Sequence, residues 1–479
     1  MMRAAQTKRR SPGLAGRRLP QAAASALLAL LLAACAGPTV RDAAAPAPGI
    51  PAQLPLAAGT AAAAAAGDGQ RTDWRSLVPD AKLQALVSQA LANNRDLRVA
   101  LLNVQRAQAQ FQATDANRSP TVGLGAGISR APNSKGEQAN SFTAGVQLAS
   151  WEIDLFGRLQ GLSDAARAQV LASEAGAQAS ALALVAQVVS GALALQADDE
   201  LLALAQRTLD SREATLKLSA LREQAGASSL LELQAQRTLV AQARAAVAQA
   251  QRAQAQDRNA LALLVGAPVA DDMLPRGPLA AASVAEVPVG LSSQLLLRRP
   301  DVVQAEATLR GAQANIAAAR AAYWPSIVLT AQAGQASSAL SGLFQGGHFA
   351  YTVAANALFT VFDAGRRQAN VDSAVSAQQI AVAQYERAVQ SAFRDTADAL
   401  AGISTWRAQL AAQTEQLAAV RDTARLTELK ATQGVASELE RLDAQRTLLA
   451  TEQATVALRL AELNNRVALF KAVGGPLVP

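Results

Sequence analysis

The chain has 479 residues, 51% of them hydrophobic but only 3% aromatic, with one cysteine, one histidine and a formal net charge of +7. A lone Cys35 excludes an intramolecular disulfide, and a lone His348 leaves no histidine cluster from which to build a zinc site or a histidine-based triad. Six of the 44 basic residues and none of the 37 acidic ones precede Cys35, so the remainder is nearly neutral and a nucleic-acid partner loses its main support.

Residues 1–34 read as a secretory signal: Arg3, Lys8, Arg9, Arg10, Arg17 and Arg18 precede the apolar run Ala22 to Leu32, which is too short to span a bilayer. Leu32-Ala33-Ala34-Cys35 follows and resembles a lipobox, which implies acylation of Cys35 and, with Ala36 next to it, sorting to the outer membrane. Residues 35–72, rich in Ala, Pro and Gly, read as a lipidated, extended tether.

From Trp74 apolar residues recur at helical spacing to about Thr114, and Asn117-Arg118-Ser119-Pro120 stops the helix. Two alternating stretches at about 121–129 and 141–149 predict strands, as do 327–335 and 349–359 later in the chain. Each is long enough for a tilted strand to cross a bilayer, with one face apolar and the other small or polar. Four strands cannot close a barrel, and open edges are not tolerated in lipid, so the chain is expected to oligomerise, with three copies supplying 12 strands.

The sequence also repeats itself. Asn94 to Ala100 falls on Arg299 to Ala305 and Pro120 on Pro325. After a three-residue slip Gly157-Arg158 falls on Gly365-Arg366, and Gly226 on Gly434. Proline is absent between Pro132 and Pro268 and between Pro325 and Pro476, so each half predicts a very long helix that reverses at Gly226 or Gly434 into an antiparallel hairpin. The organisation is a first repeat at 73–270, a linker at 271–290, a second repeat at 291–475 and a tail at 476–479. The fold class is a predominantly α, α+β membrane protein.

Little in the chain supports catalysis. There is no phosphate-binding GxxxxGK[ST] motif, and Asp198-Asp199 and Asp271-Asp272 read as solvated charges. No enzyme activity, cofactor or metal is expected. Glu440 and Asp443, three apart, share a helix face. If that face looks along a three-fold axis, six carboxylates converge into a gate.

Several blocks carry a family resemblance: Trp151 to Arg158, Leu297 to Val302, Ala318 to Pro325, Phe362 to Arg366, Leu442 to Arg446 and Leu469 to Gly475. Together they resemble the signature blocks of the TolC-like outer-membrane factors, in the OprM/NodT lipoprotein branch. The resemblance implies a homotrimer with a 12-stranded outer-membrane β-barrel continuous with a 12-helix periplasmic α-barrel and a mixed equatorial domain. It further implies a passive exit duct joined by a periplasmic adaptor (membrane fusion) protein to an inner-membrane transporter of the resistance-nodulation-division type. By the same resemblance Glu440 and Asp443 line a periplasmic constriction and Lys430 bonds across it, although Ala431 stands where a tyrosine is common. The tips Gly226, Ala227, Ser228 and Gly434, Val435, Ala436 are small enough to dock an adaptor hairpin. A type I protein-secretion duct is the alternative within transport, and a structural coiled-coil lipoprotein bridging the envelope is the alternative outside it.

Overall fold

A computed structural model describes residues 74–132, 134, 136–275, 277–282, 284–286 and 293–474. The signal, Cys35, the tether, part of the linker and the C-terminal tail lie outside the described residues. In chain order the elements are α1 (Trp74–Leu77), α2 (Ala81–Asn93), α3 (Arg95–Ala116), β1 (Val122–Pro132), β2 (Gln138–Ile153), α4 (Arg158–Gln224) and α5 (Leu230–Val265). After short 3-10 turns come α6 (Pro300–Ala321), β3 (Ser326–Ser337), β4 (Phe349–Leu358), α7 (Arg366–Thr432) and α8 (Glu438–Val473).

The duplication is visible in element lengths. α3 and α6 have 22 residues each, α4 and α7 have 67, and α5 and α8 have 36. At 1.5 Å per residue, 67 residues make a helix of about 100 Å. Compactness divides the chain differently from the repeats: one unit comprises Asp115–Gly161 with Ala317–Val371, and the other the described residues of Ala44–Thr114, Leu162–Ile316 and Asp372–Pro479. Each unit takes a share of both repeats.

The helical run expected from Trp74 to Thr114 is broken twice. Pro79 and the N-cap Asp80, whose carboxylate accepts from Lys82 N and Leu83 N, start α2 afresh. Asn94 then adopts extended backbone (φ −60, ψ 131), and its Oδ1 accepts from Leu97 N at 2.9 Å while its Nδ2 donates to Leu264 O at 2.9 Å. A side chain that caps one helix start and holds the far end of α5 outweighs the apolar periodicity that runs through it.

The helical unit has one main apolar core, drawn from α1, α2, the Leu182–Ala197 part of α4, the end of α5, Leu279 and Val284, and α8. Trp74 and Phe470 are fully buried there, each worth about 1.5–3 kcal/mol of transfer free energy. By length and composition α4 could cross a membrane, but half of its apolar window is buried, which assigns that hydropathy to packing.

The strand unit is a single antiparallel sheet of order β1-β2-β3-β4, so the two repeats join at the β2–β3 seam and β1 and β4 form the edges. At that seam Gly145 faces Gly334, and a Cβ on either would fall within 2.3 Å of backbone atoms opposite. Three of the strands run longer than the sequence alternation suggests, and β4 ends one residue short of it. β2 continues past an irregularity between Leu148 and Trp151 and pairs again through Ile153, because Trp151 and Ile153 find Leu329 and Ile327 opposite.

Candidate channel wall and helix tips

The register places side chains on two unlike faces. One carries the rows Val122–Leu148–Ala331–Val353, Leu124–Val146–Ala333–Tyr351 and Ala126–Ala144–Gln335–Phe349. The other carries Gly123–Gln147–Gln332–Thr352, Gly125–Gly145–Gly334–Ala350 and Gly127–Thr143–Ala336. The apolar face is uncovered: Leu124 is 85% exposed, Ile128 74% and Tyr351 74%. A contiguous apolar surface of this kind marks contact with lipid or another chain.

Aromatic side chains gather at both ends of the sheet. At the foot, Phe156 stacks on Trp324 at 5.2 Å, Trp151 Nε1 donates to Arg118 O at 3.0 Å, and Tyr323 donates to Gln368 Oε1 at 2.9 Å with Arg367 over its ring. Phe142, Phe349 and Tyr351 sit toward the other end. Two such girdles match the interfacial belts of membrane barrels. Paired charges fix the strand-to-helix turns. Arg158 binds Glu152 through two bonds of 2.9 and 2.5 Å, and Arg367 binds Asp363 at 2.7 Å, holding that carboxyl below its ordinary value.

In the helical unit the tips are built alike. At Gly226 (φ +70) the glycine N–H donates to Glu223 O and Ala227 N–H to Arg222 O, and at Gly434 (φ +77) the glycine N–H donates to Ala431 O and Val435 N–H to Lys430 O. Both are Schellman caps, which need the left-handed conformation that glycine adopts without penalty. Gly226, Ala227, Gly434 and Val435 are exposed; Ser228 and Ala436 are partly covered.

The gate candidates are placed as follows. Glu440 closes a capping box: its N–H donates to Ser437 Oγ at 3.2 Å, and the Ser437 N–H and hydroxyl donate to its Oε2 at 2.7 and 2.9 Å. Those bonds, then the nearby Lys430 charge, lower its pKa. Asp443 pairs with Arg446 at 2.6 Å on its own helix. Lys430 is exposed, and its carbonyl belongs to the tip cap. Within one chain, therefore, two of the three carry local helix contacts.

Sequence reasoning missed a polar cluster between the hairpins. Gln236 Nε2 donates to Glu438 Oε1 at 3.2 Å, and Arg441 binds Glu438 at 2.5 Å and Glu428 at 3.6 Å. Arg212 is buried beside them, with Nη1 lacking a hydrogen-bond partner. Burial and then the Arg441 charge depress its pKa. Gln236 lies ten residues past Gly226 and Glu438 four past Gly434. The first tip thus reaches about 10 Å farther than the second. Asp198, read from sequence as a solvated charge, is partly covered in mid-α4. Burial and then the adjacent Asp257 and Asp199 push it up to about 6. Asp271, in contrast, pairs with Arg258 at the surface.

A family model described as outer membrane efflux protein matches residues 86–267 and 291–475. The outer membrane protein OprJ of Pseudomonas aeruginosa is 38% identical over 471 residues, 96% of each chain. The probable efflux pump outer membrane protein TtgC of Pseudomonas putida is 37% identical over 409 residues, 84% of each. Among solved structures, the open state of the Neisseria gonorrhoeae MtrE outer membrane channel superposes with a TM-score of 0.79 at 34% identity, covering 89% of this chain and 96% of that one. The chain belongs to the outer membrane efflux protein family and works as an efflux channel of the outer membrane.

Proposed function

We propose that three copies close their sheets into a 12-stranded β-barrel continuous with a 12-helix periplasmic α-barrel, forming the passive exit duct of a tripartite efflux system for drugs or other small molecules. The observation that carries this reading is a two-faced, four-stranded sheet whose apolar face and both edge strands are uncovered. In lipid such edges must pair, and neighbouring copies supply the missing partners. Energy comes from an inner-membrane transporter of the resistance-nodulation-division type, reached through a periplasmic adaptor. Acyl chains on Cys35 anchor each copy to outer-membrane lipid.

The two exposed tips meet the adaptor, and Lys430, Glu440 and Asp443 form the periplasmic gate. Replacing Glu440 and Asp443 together by alanine raises single-channel conductance in planar bilayers. Ser437→Ala, which loosens the same helix start without removing a charge, leaves conductance unchanged. Deleting the protein with its pump intact raises dye and antibiotic accumulation several-fold. Unaltered accumulation, with loss of an exported protein instead, points to the type I secretion duct.

A further inference from the structure

The polar face of the sheet carries a second message in what it omits. Its positions on β1 to β4 are Gly, Ser, Thr, Gln, Ala, Asn and Val, ending at the foot with Leu358 and with Glu152, which is bound to Arg158. Among the described residues of the four strands, only Glu152 and Arg130 carry a charge at neutral pH, and Arg130 lies at the rim on the opposite face. The strand aromatics Phe142, Trp151, Phe349 and Tyr351 likewise fall on the apolar face. Beyond the Glu152–Arg158 pair, whose charges offset each other, the polar face therefore presents neither a charge nor an aromatic surface.

Resting on the barrel reading above, we infer that the barrel lumen has no charge filter. Anions, cations and neutral solutes pass it with equal ease, limited by size alone. Charge rings are what make water-filled pores selective. Three like charges ~10 Å from a solute in water change its local concentration several-fold at low salt. This wall has no unpaired charge to contribute. Its Gln and Thr side chains offer neutral hydrogen bonds to any hydrated solute, and the glycines keep the bore wide. Any preference for one charge sign must arise elsewhere along the path.

Because Cys35 is the only cysteine, introduced thiols can be read individually. Gln147→Cys and Gln332→Cys are made separately in the full chain, and the assembly is treated at low salt with ammonium-bearing and sulfonate-bearing methanethiosulfonates. Rates are divided by those for free mercaptoethanol. The expected ratio of the two normalised rates is within about twofold of one, and adding Gln332→Glu to the Gln147→Cys variant shifts it several-fold toward the cationic reagent. A ratio beyond about tenfold in either direction, without the added acid, overturns the inference and leaves the barrel standing. If both positions are inert while Val146→Cys reacts, the lumen assignment itself fails, and the inference with it.

Discussion

The two helical hairpins have the same lengths and the same tip caps, yet they solve several local problems with different residues. Displaced by 208 residues, Glu213 falls on Arg421 and Arg244 on Glu452. Each hairpin has one ion pair at that level with the charges exchanged, Arg244–Glu213 at 2.7 Å and Arg421–Glu452 at 2.9 Å. Ser228 falls on Ala436. Where the serine is present, its hydroxyl takes the carboxylate of Glu232 at 2.9 Å. Where it is alanine, the equivalent Glu440 turns back onto the Ser437 backbone. Asn94 falls on Arg299 at the smaller offset of 205, and both donate to the end of the following hairpin, at Leu264 O and Ala472 O respectively. Duplication preserved the geometry of the ion pair and of the hairpin-end contact while the chemistry diverged, and at the tip the carboxylate changed partner.

The largest divergence is at Arg299. This buried side chain also binds Asp301 at 2.8 Å, Asp395 at 3.4 Å and Ala392 O at 3.5 Å. Arg299→Ala is expected to cost about 2–4 kcal/mol, since it strands the buried Ala392 and Ala472 carbonyls, while the half-exposed Asp301 and Asp395 are left to water. Asn94→Ala, with two bonds to lose, costs about 1–2 kcal/mol. Thermal melts of the detergent-extracted assembly measure both, and equal losses break the comparison.

At the tips the hairpins should respond alike. Gly226→Ala and Gly434→Ala each cost about 1 kcal/mol, because both positions have φ near +70 with open space around the Cβ. The N-caps give a similar but asymmetric effect. Ser437→Ala dismantles a full capping box and loses about 1 kcal/mol, more than Ser229→Ala, whose hydroxyl accepts one bond.

Asp257 falls on Asn465 in the second repeat, so Asp257→Asn copies one hairpin into the other. Asp198 is an acid whose pKa rises from 3.8 to about 6 on folding. Its unfavourable contribution is absent below the unfolded value and complete above the folded one, so stability falls as pH rises through that window. Asp257→Asn removes one cause of the rise and should flatten the pH dependence between about 4 and 6, as melting curves across that range will read. The smallest effect belongs to the exchanged ion pairs. Reversing Glu213 and Arg244 together reproduces the second hairpin's arrangement at an exposed site, and is expected to change stability by under about 0.5 kcal/mol.

The long hairpins were legible because proline is absent over their whole length and glycine marks each reversal. The strands were legible because one face of the sheet is apolar and the other small or polar, which enforces a period of two. Asn94 was not, since its partner Leu264 is 170 residues away and helical periodicity continues across it. The Arg212 cluster escaped for the same reason, although the exchanged pair was open to the 208-residue offset applied to charges instead of glycines. The capping role of Glu440 was written in Ser437 three residues before it. A shared helix face is compatible with both a cap and a gate, and only the rotamer separates them within one chain.

Pairs of cysteines, one along Val122–Pro132 of β1 and one along Phe349–Leu358 of β4, probe whether the free edges of different copies meet. Closure of three sheets into one cylinder requires that, in one register, oxidation yields disulfide-linked dimers and trimers on non-reducing electrophoresis. If no register links one copy to another, and the two edges join only within a chain or not at all, the sheet does not close through its neighbours and the duct is not built this way.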